Sequence, residues 1–335
     1  MNVDNQLIIF VKDFSEYNQM MDYMLLDNQE NFISITEKLN SNKITEMLKK
    51  IRIQKATKGK LNFLFAKSYE LYKILEKETS LYSQVIVLFF NSSFLKSRYP
   101  AQILKDYKLK WNNIKYVLFY IDIVNHAVSY HANYLRLEGV FDCIYTIDEM
   151  DAKKYDMKLW NTPYSIVPEL KEIKKEYDLY FCGVTKGRKE IIKKILRSAD
   201  KKNIDYRMKI VCNNKEEEKY FEAYKNKIEI TEKYQKYNGL LKDTLKAECI
   251  LELVQEGQKA LTLRPYEAVA YNKKLLTNNK TIFEFKYYDP KFIRYFSKVE
   301  DIDWEWVKNE EEVDYHYQGD FSPKWLLEDI KKQLV

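Results

Sequence analysis

The fold is decided by the stretch Ile250-Leu251-Glu252-Leu253-Val254-Gln255-Glu256-Gly257-Gln258-Lys259-Ala260-Leu261-Thr262-Leu263-Arg264-Pro265-Tyr266-Glu267-Ala268-Val269-Ala270. It predicts a buried strand, a polar loop and then a helix. Proline is preorganised for the first helical position, so the helix is expected to open on Arg264 and Pro265, with Glu267 in its first turn. Strands that lead into helices in this way are the building units of parallel α/β sheets.

The same stretch carries a candidate binding site. Free N–H groups and the helix dipole make a helix N-terminus a site for anions. Arg264 and Thr262 lie beside this predicted terminus and favour a diphosphate, while Glu267 could accept hydrogen bonds from a ribose. Together these groups meet the needs of a nucleotide-sugar site. The simpler interpretation is an ordinary capped strand–loop–helix unit.

Length and composition indicate a globular protein of two domains. The 335 residues suit two domains at roughly 150 residues each. Hydrophobic residues make up 46% of the chain, yet no run of about 18 apolar residues predicts a membrane span. The first residues lack the basic segment of a secretory signal. We therefore expect a cytoplasmic protein, with peripheral contact at the inner face of the cell membrane as an option.

Metal, redox and nucleic-acid chemistry find little support. The three histidines are scattered, and the four cysteines lie singly in predicted strands without CxxC spacing, which disfavours zinc and redox sites. The net charge of +6 is modest and no nucleic-acid-binding motif occurs, so no nucleic acid partner is expected. The seven glycines include no GxGxxG fingerprint.

Short apolar runs alternate with helical, charged segments, which indicates parallel sheets. The predicted strands are 7–11, 32–36, 85–90, 116–121 and 143–147, followed by 179–182, 208–212, 228–231, 250–254 and 275–278. Pro163 and Pro168 interrupt this pattern and predict a boundary. The expected division is a domain over residues 1–167, a second over 168–320, and a helix over 321–335 that starts at Ser322 and Pro323 and packs back toward the first domain.

Two doubly wound domains would form a cleft between the carboxyl ends of their strands, where ligands of such sheets bind. In the second half, Gly183-Val184-Thr185-Lys186-Gly187-Arg188 follows a predicted strand and opens a helix. Thr185 could cap this helix, while Lys186 and Arg188 could reach phosphates. The alternative is a basic turn on the surface.

The first half offers candidates for a general base. Asp122 and His126 follow an apolar strand, and Asp13 follows the first strand. Each would emerge at the expected cleft and could take the proton of an acceptor hydroxyl. A lone aspartate or histidine at a strand end is more often structural.

Three other features have mainly structural interpretations. Thr231 and Tyr234 lie at the end of another strand, and this position alone suggests that they could contact the base of the nucleotide. Asp301-Ile302-Asp303 has the DxD form that can hold Mn²⁺ against a diphosphate, but it lies in an acidic run that favours a solvated loop. Basic and aromatic residues interleave over 96–111, and cations cluster over 43–60. These faces could bind anionic lipid, although solvated helices are slightly favoured.

Three segments carry a resemblance to a known family: residues 141–155, 180–188 and 250–279. On them the chain is similar to GT-B glycosyltransferases of bacterial cell-surface polysaccharide assembly, typified by small β-1,6-galactofuranosyltransferases and adhesin glucosyltransferases. The resemblance implies two Rossmann-like doubly wound domains facing across a cleft. It also implies an N-terminal acceptor domain, a C-terminal donor domain and no need for a metal.

The resemblance further implies residue roles. Lys186, Arg188 and Arg264 would neutralise the leaving diphosphate, and Glu267 matches the glutamate that holds the ribose. The nucleotide-binding set would then comprise Gly183, Thr185, Lys186, Arg188, Thr231, Tyr234, Thr262, Arg264 and Glu267. Many retaining relatives have a second glutamate seven or eight residues before Glu267, and this sequence departs from that pattern. Retaining and inverting chemistry therefore both stay open.

The sequence thus favours a metal-independent hexosyltransferase. It would move a sugar from a nucleotide-diphosphate donor, most simply UDP-linked, to a hydroxyl of a lipid- or protein-linked glycan. A non-catalytic nucleotide-sugar-binding or assembly subunit is one alternative, and a nucleotide-sugar 2-epimerase of the same form is another. No cofactor besides the donor is expected, and self-association stays an option.

Overall fold

The computed structural model describes residues 5–12, 31–36, 69–91, 94, 101–124, 137, 139–170, 173–231, 237–255 and 260–334. The chain divides into two compact units. Unit 1 comprises residues 1–163 and 322–335, and unit 2 comprises residues 164–321. The chain first passes from unit 1 to unit 2 after Pro163, four residues before the predicted boundary at residue 167.

Unit 1 contains a six-stranded sheet in the order β2-β1-β3-β4-β5-β6, with every ladder parallel. Its strands are β1 (Gln6–Lys12), β2 (Phe32–Thr36), β3 (Gln84–Phe90), β4 (Ile114–Tyr120), β5 (Cys143–Thr146) and β6 (Lys158–Leu159). The five strands predicted in the first half all form, and β6 adds a short edge. The three central strands are buried almost throughout, as expected of parallel strands covered on both faces.

Helices α1 (Glu70–Glu78), α2 (Ala101–Lys110) and α3 (Glu149–Tyr155) belong to unit 1. In α1 the buried residues Leu71, Tyr72 and Leu75 recur at helical spacing and join the core on one side of the sheet. Asp148 caps α3, because its side chain accepts a hydrogen bond from the Asp151 N–H at 2.9 Å.

Unit 2 contains a second six-stranded parallel sheet, in the order β12-β11-β10-β7-β8-β9. Its strands are β7 (Tyr177–Val184), β8 (Tyr206–Val211), β9 (Glu229–Thr231), β10 (Ala247–Glu252), β11 (Lys274–Thr277) and β12 (Ile293–Tyr295). The five strands predicted in the second half are confirmed, and β12 was not predicted.

The helices of unit 2 are α4 (Lys189–Lys201), α5 (Lys215–Tyr220), α6 (Tyr237–Leu245), α7 (Leu263–Ala270) and α8 (Trp304–Lys308). Helix α4 buries Ile192, Ile195 and Leu196, which recur at helical spacing and share a core cluster with strand residues of the sheet.

The last helix, α9 (Pro323–Gln333), belongs to unit 1. As predicted, the Ser322 hydroxyl caps it and Pro323 stands at its start. Leu326, Leu327 and Ile330 are buried with Ile8, Phe10 and other residues of the unit 1 sheet.

Both sheets reverse their strand order once. In unit 1, β2 lies on one side of β1, and β3 to β6 follow on the other. In unit 2, β8 and β9 lie on one side of β7, and β10 to β12 follow on the other. Ligands of doubly wound sheets bind at the carboxyl ends of the two strands that flank such a reversal. The expected sites are therefore between β1 and β3 in unit 1, and between β7 and β10 in unit 2.

Candidate functional site

In unit 2, the two segments singled out in the sequence follow the two strands that flank the reversal. Residues 183–188 end β7 and lead into α4, and residues 253–262 connect β10 to α7. The edge where these strands end is called the carboxyl edge below. Gly183, Thr185, Lys186, Arg188, Thr262, Arg264 and Glu267 are all at this edge or in the helix that leaves it.

A buried ion pair lies at the start of α7. The Arg264 guanidinium contacts the Glu267 carboxylate through Nη1, and the same nitrogen donates to the Thr244 hydroxyl at 3.2 Å. The Glu267 side chain is 0% exposed, while that of Arg264 retains 14% exposure. Arg264 is therefore the member of the pair that a ligand can reach. Within the described chain, both contacts use Nη1, which leaves Nε and Nη2 to bind an anion.

Thr262 caps α7 and corrects the predicted start of this helix. Its hydroxyl accepts a hydrogen bond from the Arg264 N–H at 3.1 Å, and the helix begins at Leu263. Pro265 is consequently the third helical residue instead of the first, and Glu267 lies in the second turn. The prediction that Glu267 occupies the first turn was wrong, because the threonine cap is a stronger start signal here than the proline.

A second buried carboxylate, that of Glu252 at the end of β10, holds this cap in place. It accepts hydrogen bonds from the Thr262 hydroxyl at 2.5 Å and from the Thr262 N–H at 3.3 Å, and also from the Thr277 hydroxyl. Burial raises the pKa of Glu252, and the bonds from Thr262 and Thr277 oppose that rise. Glu252 thus ties the start of α7 to the ends of β10 and β11.

The loop after β7 has a backbone conformation that requires its glycine. Lys186 and Gly187 both have positive φ, at 33° and 81°, and Lys186 is exposed. A positive φ is unfavourable for residues with a Cβ and ordinary for glycine. The sequence suggested that Thr185 could cap α4, but the N-cap residue of this helix is Arg188, whose side chain makes no capping hydrogen bond.

Thr185 is fully buried and takes part in a different contact. Its hydroxyl donates to the Glu217 carboxylate of α5, and Asn213 donates to the same hydroxyl at 3.1 Å. The bond from Thr185 is the largest cause of a lowered pKa at Glu217. Thr185 therefore joins the loops that follow β7 and β8.

Arg188 joins the two strands that flank the reversal. Its guanidinium donates to the backbone carbonyls of Val184 on β7 and of Leu253 directly after β10. A methyl group at Gly183 would meet the Arg188 Nη2 at 3.3 Å and the Phe181 ring at 2.9 Å. Gly183 is therefore needed for this close packing, and Arg188 acts as a brace of the carboxyl edge.

The remaining candidates lie away from the two reversals or outside the described residues. Thr231 ends β9, which lies at the far side of the sheet, two strands from β7, and its carbonyl accepts from the Cys212 N–H at 3.0 Å. Tyr234, Asp13 and His126 lie outside the described residues. Asp122 is exposed and follows β4, which is one strand away from the reversal of unit 1.

The DxD pair has structural roles. Asp303 caps α8 through the Trp306 N–H at 3.1 Å and pairs with Arg294 at 2.8 Å. Asp301 accepts from the Ser297 hydroxyl and the Lys298 N–H, each at 3.2 Å. Among the described residues, no group of three or more histidine, cysteine, aspartate or glutamate side chains is arranged to hold a metal ion.

Four residues of the site were missed in the sequence: Glu252, Thr277, Tyr237 and Thr244. Glu252 was quoted in the deciding stretch but assigned only to a strand. An ionisable residue at the end of an otherwise apolar strand was a signal that could have identified it. Tyr237 and Thr244 belong to α6 and Thr277 to β11, and their contacts with Arg264, Glu267 and Glu252 arise only from the folding of the chain.

Comparisons with known proteins agree on the fold. No protein-family model matches the chain, and no curated sequence is significantly similar to it. Among solved structures, an alpha-glucosyltransferase in complex with UDP-glucose and DNA containing an abasic site superposes with a TM-score of 0.57 at 12% identity. The match covers 98% of this chain and 99% of that one.

A second similar structure is TarM of S. aureus, in complex with Fondaparinux, alpha-GlcNAc-glycerol and UDP. Its TM-score is 0.51 at 12% identity, over 78% of this chain and 57% of that one. UDP-N-acetylglucosamine 2-epimerase from Rickettsia bellii matches with a lower TM-score of 0.45 at 13% identity, over 98% of this chain and 93% of that one. The chain has the GT-B fold, with two doubly wound α/β sheets. In the described part of the chain, no helix is both long and apolar enough to cross a membrane.

Proposed function

We propose that this protein is a glycosyltransferase that moves a sugar from a nucleotide-diphosphate donor, UDP-linked by preference, to a hydroxyl group of a glycan. The observation that carries the proposal is Arg264, a partly exposed guanidinium at the N-terminus of a helix that begins at the sheet reversal of unit 2. The GT-B fold agrees with this proposal, because the alpha-glucosyltransferase and TarM structures both contain UDP or a UDP-sugar.

In the proposed donor complex, Arg264 and Lys186 bind the diphosphate. Lys186 is exposed on the loop after β7, on the other side of the reversal from Arg264. Arg188 supports this site by holding β7 and the end of β10 together through the Val184 and Leu253 carbonyls. Glu267 stays the proposed ribose ligand, which requires a change in its surroundings because its side chain is fully covered here.

The proposed reaction needs few groups. The acceptor oxygen forms a bond to the anomeric carbon of the sugar while the bond from that carbon to the diphosphate oxygen breaks. The diphosphate leaves with the electron pair, and Arg264 and Lys186 stabilise the charge that develops on it. The acceptor proton passes to a base, for which Asp122, His126 and Asp13 are the proposed candidates.

We propose that no metal ion is required for this reaction. The only DxD pair caps and braces α8 within unit 2, so it is engaged in the fold. The cationic groups at the carboxyl edge would supply the positive charge that a metal ion supplies elsewhere. Transfer that persists in EDTA would support this proposal, whereas loss in EDTA with recovery in Mn²⁺ would refute it.

The proposed acceptor is a lipid- or protein-linked glycan of the cell surface. The TarM structure supports this proposal, since it contains alpha-GlcNAc-glycerol together with UDP. The alpha-glucosyltransferase structure contains DNA instead, so a DNA duplex is the informative competing acceptor. Peripheral membrane contact and self-association are further proposals, to be tested by vesicle sedimentation and by light scattering.

A thermal-shift panel of UDP, GDP, dTDP and CMP compounds tests the donor proposal directly. A ligand at 100 times its Kd should stabilise the fold by about 2.7 kcal/mol. Absence of a shift with every nucleotide would refute the donor site. Binding without transfer to any acceptor would favour a non-catalytic subunit, and release of an altered free sugar without acceptor would favour a 2-epimerase.

The base is tested by comparing Asp122→Asn with the control Asp156→Asn. Asp156 is an exposed aspartate of unit 1, and its backbone has a left-handed conformation that asparagine tolerates. If Asp122 is the base, transfer should fall about a hundredfold or more in the first variant and stay unchanged in the second. A histidine base, tested with His126→Ala, predicts a rate that rises through about pH 6–7, whereas a carboxylate base predicts a flat neutral range.

A further inference from the structure

Helix α6 carries two buried hydroxyl groups that contact the Arg264–Glu267 pair. The Tyr237 hydroxyl lies 2.9 Å from the Glu267 Oε1, and the Thr244 hydroxyl lies 3.2 Å from the Arg264 Nη1. Tyr237 and Thr244 are seven residues apart, which places them on the same side of the helix two turns apart. One face of α6 therefore holds both members of the pair.

The orientation of these hydroxyls is determined by their other partners. The Thr244 hydroxyl donates to the Leu240 carbonyl at 2.8 Å, so it accepts from the guanidinium. A phenol has a single hydrogen, and the Glu267 carboxylate is a stronger acceptor than another phenol, so Tyr237 donates to Glu267. Tyr164, whose oxygen lies 3.1 Å away, then donates to Tyr237.

Tyr237 keeps its hydrogen at every pH at which the protein would act. Burial, together with the Glu267 carboxylate, raises the pKa of Tyr237 well above its ordinary value. With Oε1 bonded to Tyr237, the Oε2 oxygen faces Arg264 and fixes its guanidinium. Losing the phenol oxygen would leave one buried carboxylate oxygen without this donor and free the carboxylate to turn.

We propose that Tyr237 and Thr244 are positioning residues of the donor site, which hold the Arg264 guanidinium in the direction that binds the diphosphate. Tyr237 acts through Glu267, and Thr244 acts on Arg264 itself. This inference rests on the proposed function, because it assigns a role toward the nucleotide. Neither residue is expected to touch the nucleotide.

Titration with UDP tests the proposal in Tyr237→Phe and, independently, in Thr244→Val. Each variant should raise the Kd for UDP about tenfold, because a misdirected charged donor loses most of its hydrogen bond to the phosphate. Tyr315→Phe is the matched control. It removes a buried hydroxyl that bonds the Lys273 carbonyl at 3.1 Å, at the opposite edge of the same sheet, and should leave the Kd unchanged.

The same variants in an Arg264→Ala background separate positioning from a general loss of structure. If the two residues act through Arg264, Tyr237→Phe and Thr244→Val should change the Kd less than twofold once Arg264 is absent. An equal loss in both backgrounds would overturn the proposal, as would a Kd within twofold of the unsubstituted protein in both single variants. If the unsubstituted protein does not bind UDP, the proposed function fails first, so the two failures are distinguishable.

Discussion

The two edges of the unit 2 sheet both bury charged groups, but they use them differently. At the carboxyl edge, Arg264 and Glu267 form a pair in which the guanidinium retains 14% exposure, and its contacts with Glu267 and Thr244 in the described part of the chain use Nη1 alone. At the edge where the strands begin, called the amino edge, Lys274 is 0% exposed and lies 3.5 Å from Glu248. Burial of a charged side chain alone therefore does not indicate a binding site. The position of that side chain at the sheet and its remaining hydrogen-bonding capacity are the better indicators.

Lys274 has no capacity left for a ligand. Its ammonium group has three hydrogens and donates to three backbone carbonyls at the end of α8: those of Trp306 at 2.6 Å, of Val307 at 3.2 Å and of Asn309. It thereby satisfies carbonyls that the last turn of a helix leaves open. The amino edge is thus a structural use of buried charge.

The largest effect is expected from removing Lys274. The substitution Lys274→Met leaves three carbonyls without their donor and the buried Glu248 without this neighbouring cation. The free energy of unfolding should therefore fall by about 3–5 kcal/mol. Urea unfolding measures this loss, and Lys202→Met, at an exposed position, is the control. If the variant is as stable as its control, the amino edge does not depend on Lys274. UDP affinity, measured well below the unfolding transition, should be unaffected.

At the carboxyl edge, stability and activity should separate. Arg264→Ala leaves the buried Glu267 carboxylate with Tyr237 as its described donor, and about 3 kcal/mol of stability should be lost. Transfer should fall at least tenfold in kcat/KM. The double substitution Arg264→Met with Glu267→Leu replaces both charges by apolar groups and should recover most of the stability.

Transfer should not recover with stability, since Arg264, the proposed contact of the diphosphate, is absent from the double variant. Chemical unfolding and a donor assay on the same preparations provide both readouts. Recovery of activity together with stability would show that the pair serves the fold alone, and the contrast between the two edges would then disappear.

A smaller effect is expected from pH at the amino edge. Burial, with Lys175 nearby, lowers the pKa of Lys273 to about 8. The unfolded chain holds its lysine proton up to about pH 10.5, so between pH 8 and pH 10.5 the unfolded state binds more protons and stability from this group rises with pH. The protein should gain about 2–3 kcal/mol over this interval relative to Lys273→Met. A constant difference between the two proteins from pH 8 to pH 10 would contradict the prediction.

The smallest effect is expected at Glu252. Burial raises the pKa of this carboxyl, so its charged form weakens the fold at neutral pH, and Glu252→Gln removes that cost. The amide oxygen can still accept from Thr262, and the amide hydrogens can turn to the Thr277 hydroxyl. Stability at pH 7 should change by less than about 1 kcal/mol, and the Kd for UDP by about threefold. A loss of UDP binding as large as that in Arg264→Ala would place Glu252 in contact with the ligand.

The comparison of edges also shows what the sequence could predict. Apolar strand runs are local, and therefore all ten predicted strands form. The closeness of Arg264 to Glu267 is also local, since the two residues are one helical turn apart. The exact start of α7 was missed because Thr262 gains a second partner in Glu252, a residue ten positions away. Local preference for proline at the first position could not reveal that contact.

Residues that looked free in the sequence are engaged through long-range contacts. Thr185 is taken by Glu217, 32 residues later, and Arg188 by the carbonyl of Leu253, 65 residues later. The pattern of residue types identified the segment after β7 correctly as a connection from a strand to a helix. It could not distinguish a side chain that faces a ligand from one that braces the loop, because that distinction depends on which strands become neighbours.

Unit 2 lies within the sequence of unit 1, and its two ends meet through the Tyr164 N–H and the Phe321 carbonyl at 2.7 Å. During synthesis, the ribosome must therefore make residues 164–321, at about 5–20 residues per second, before α9 emerges. For about 10–30 seconds the nascent first unit has no Leu326, Leu327 or Ile330 to cover Ile8 and Phe10. The order of translation leaves that apolar face without α9 until synthesis ends, while the inserted unit can complete its own sheet first.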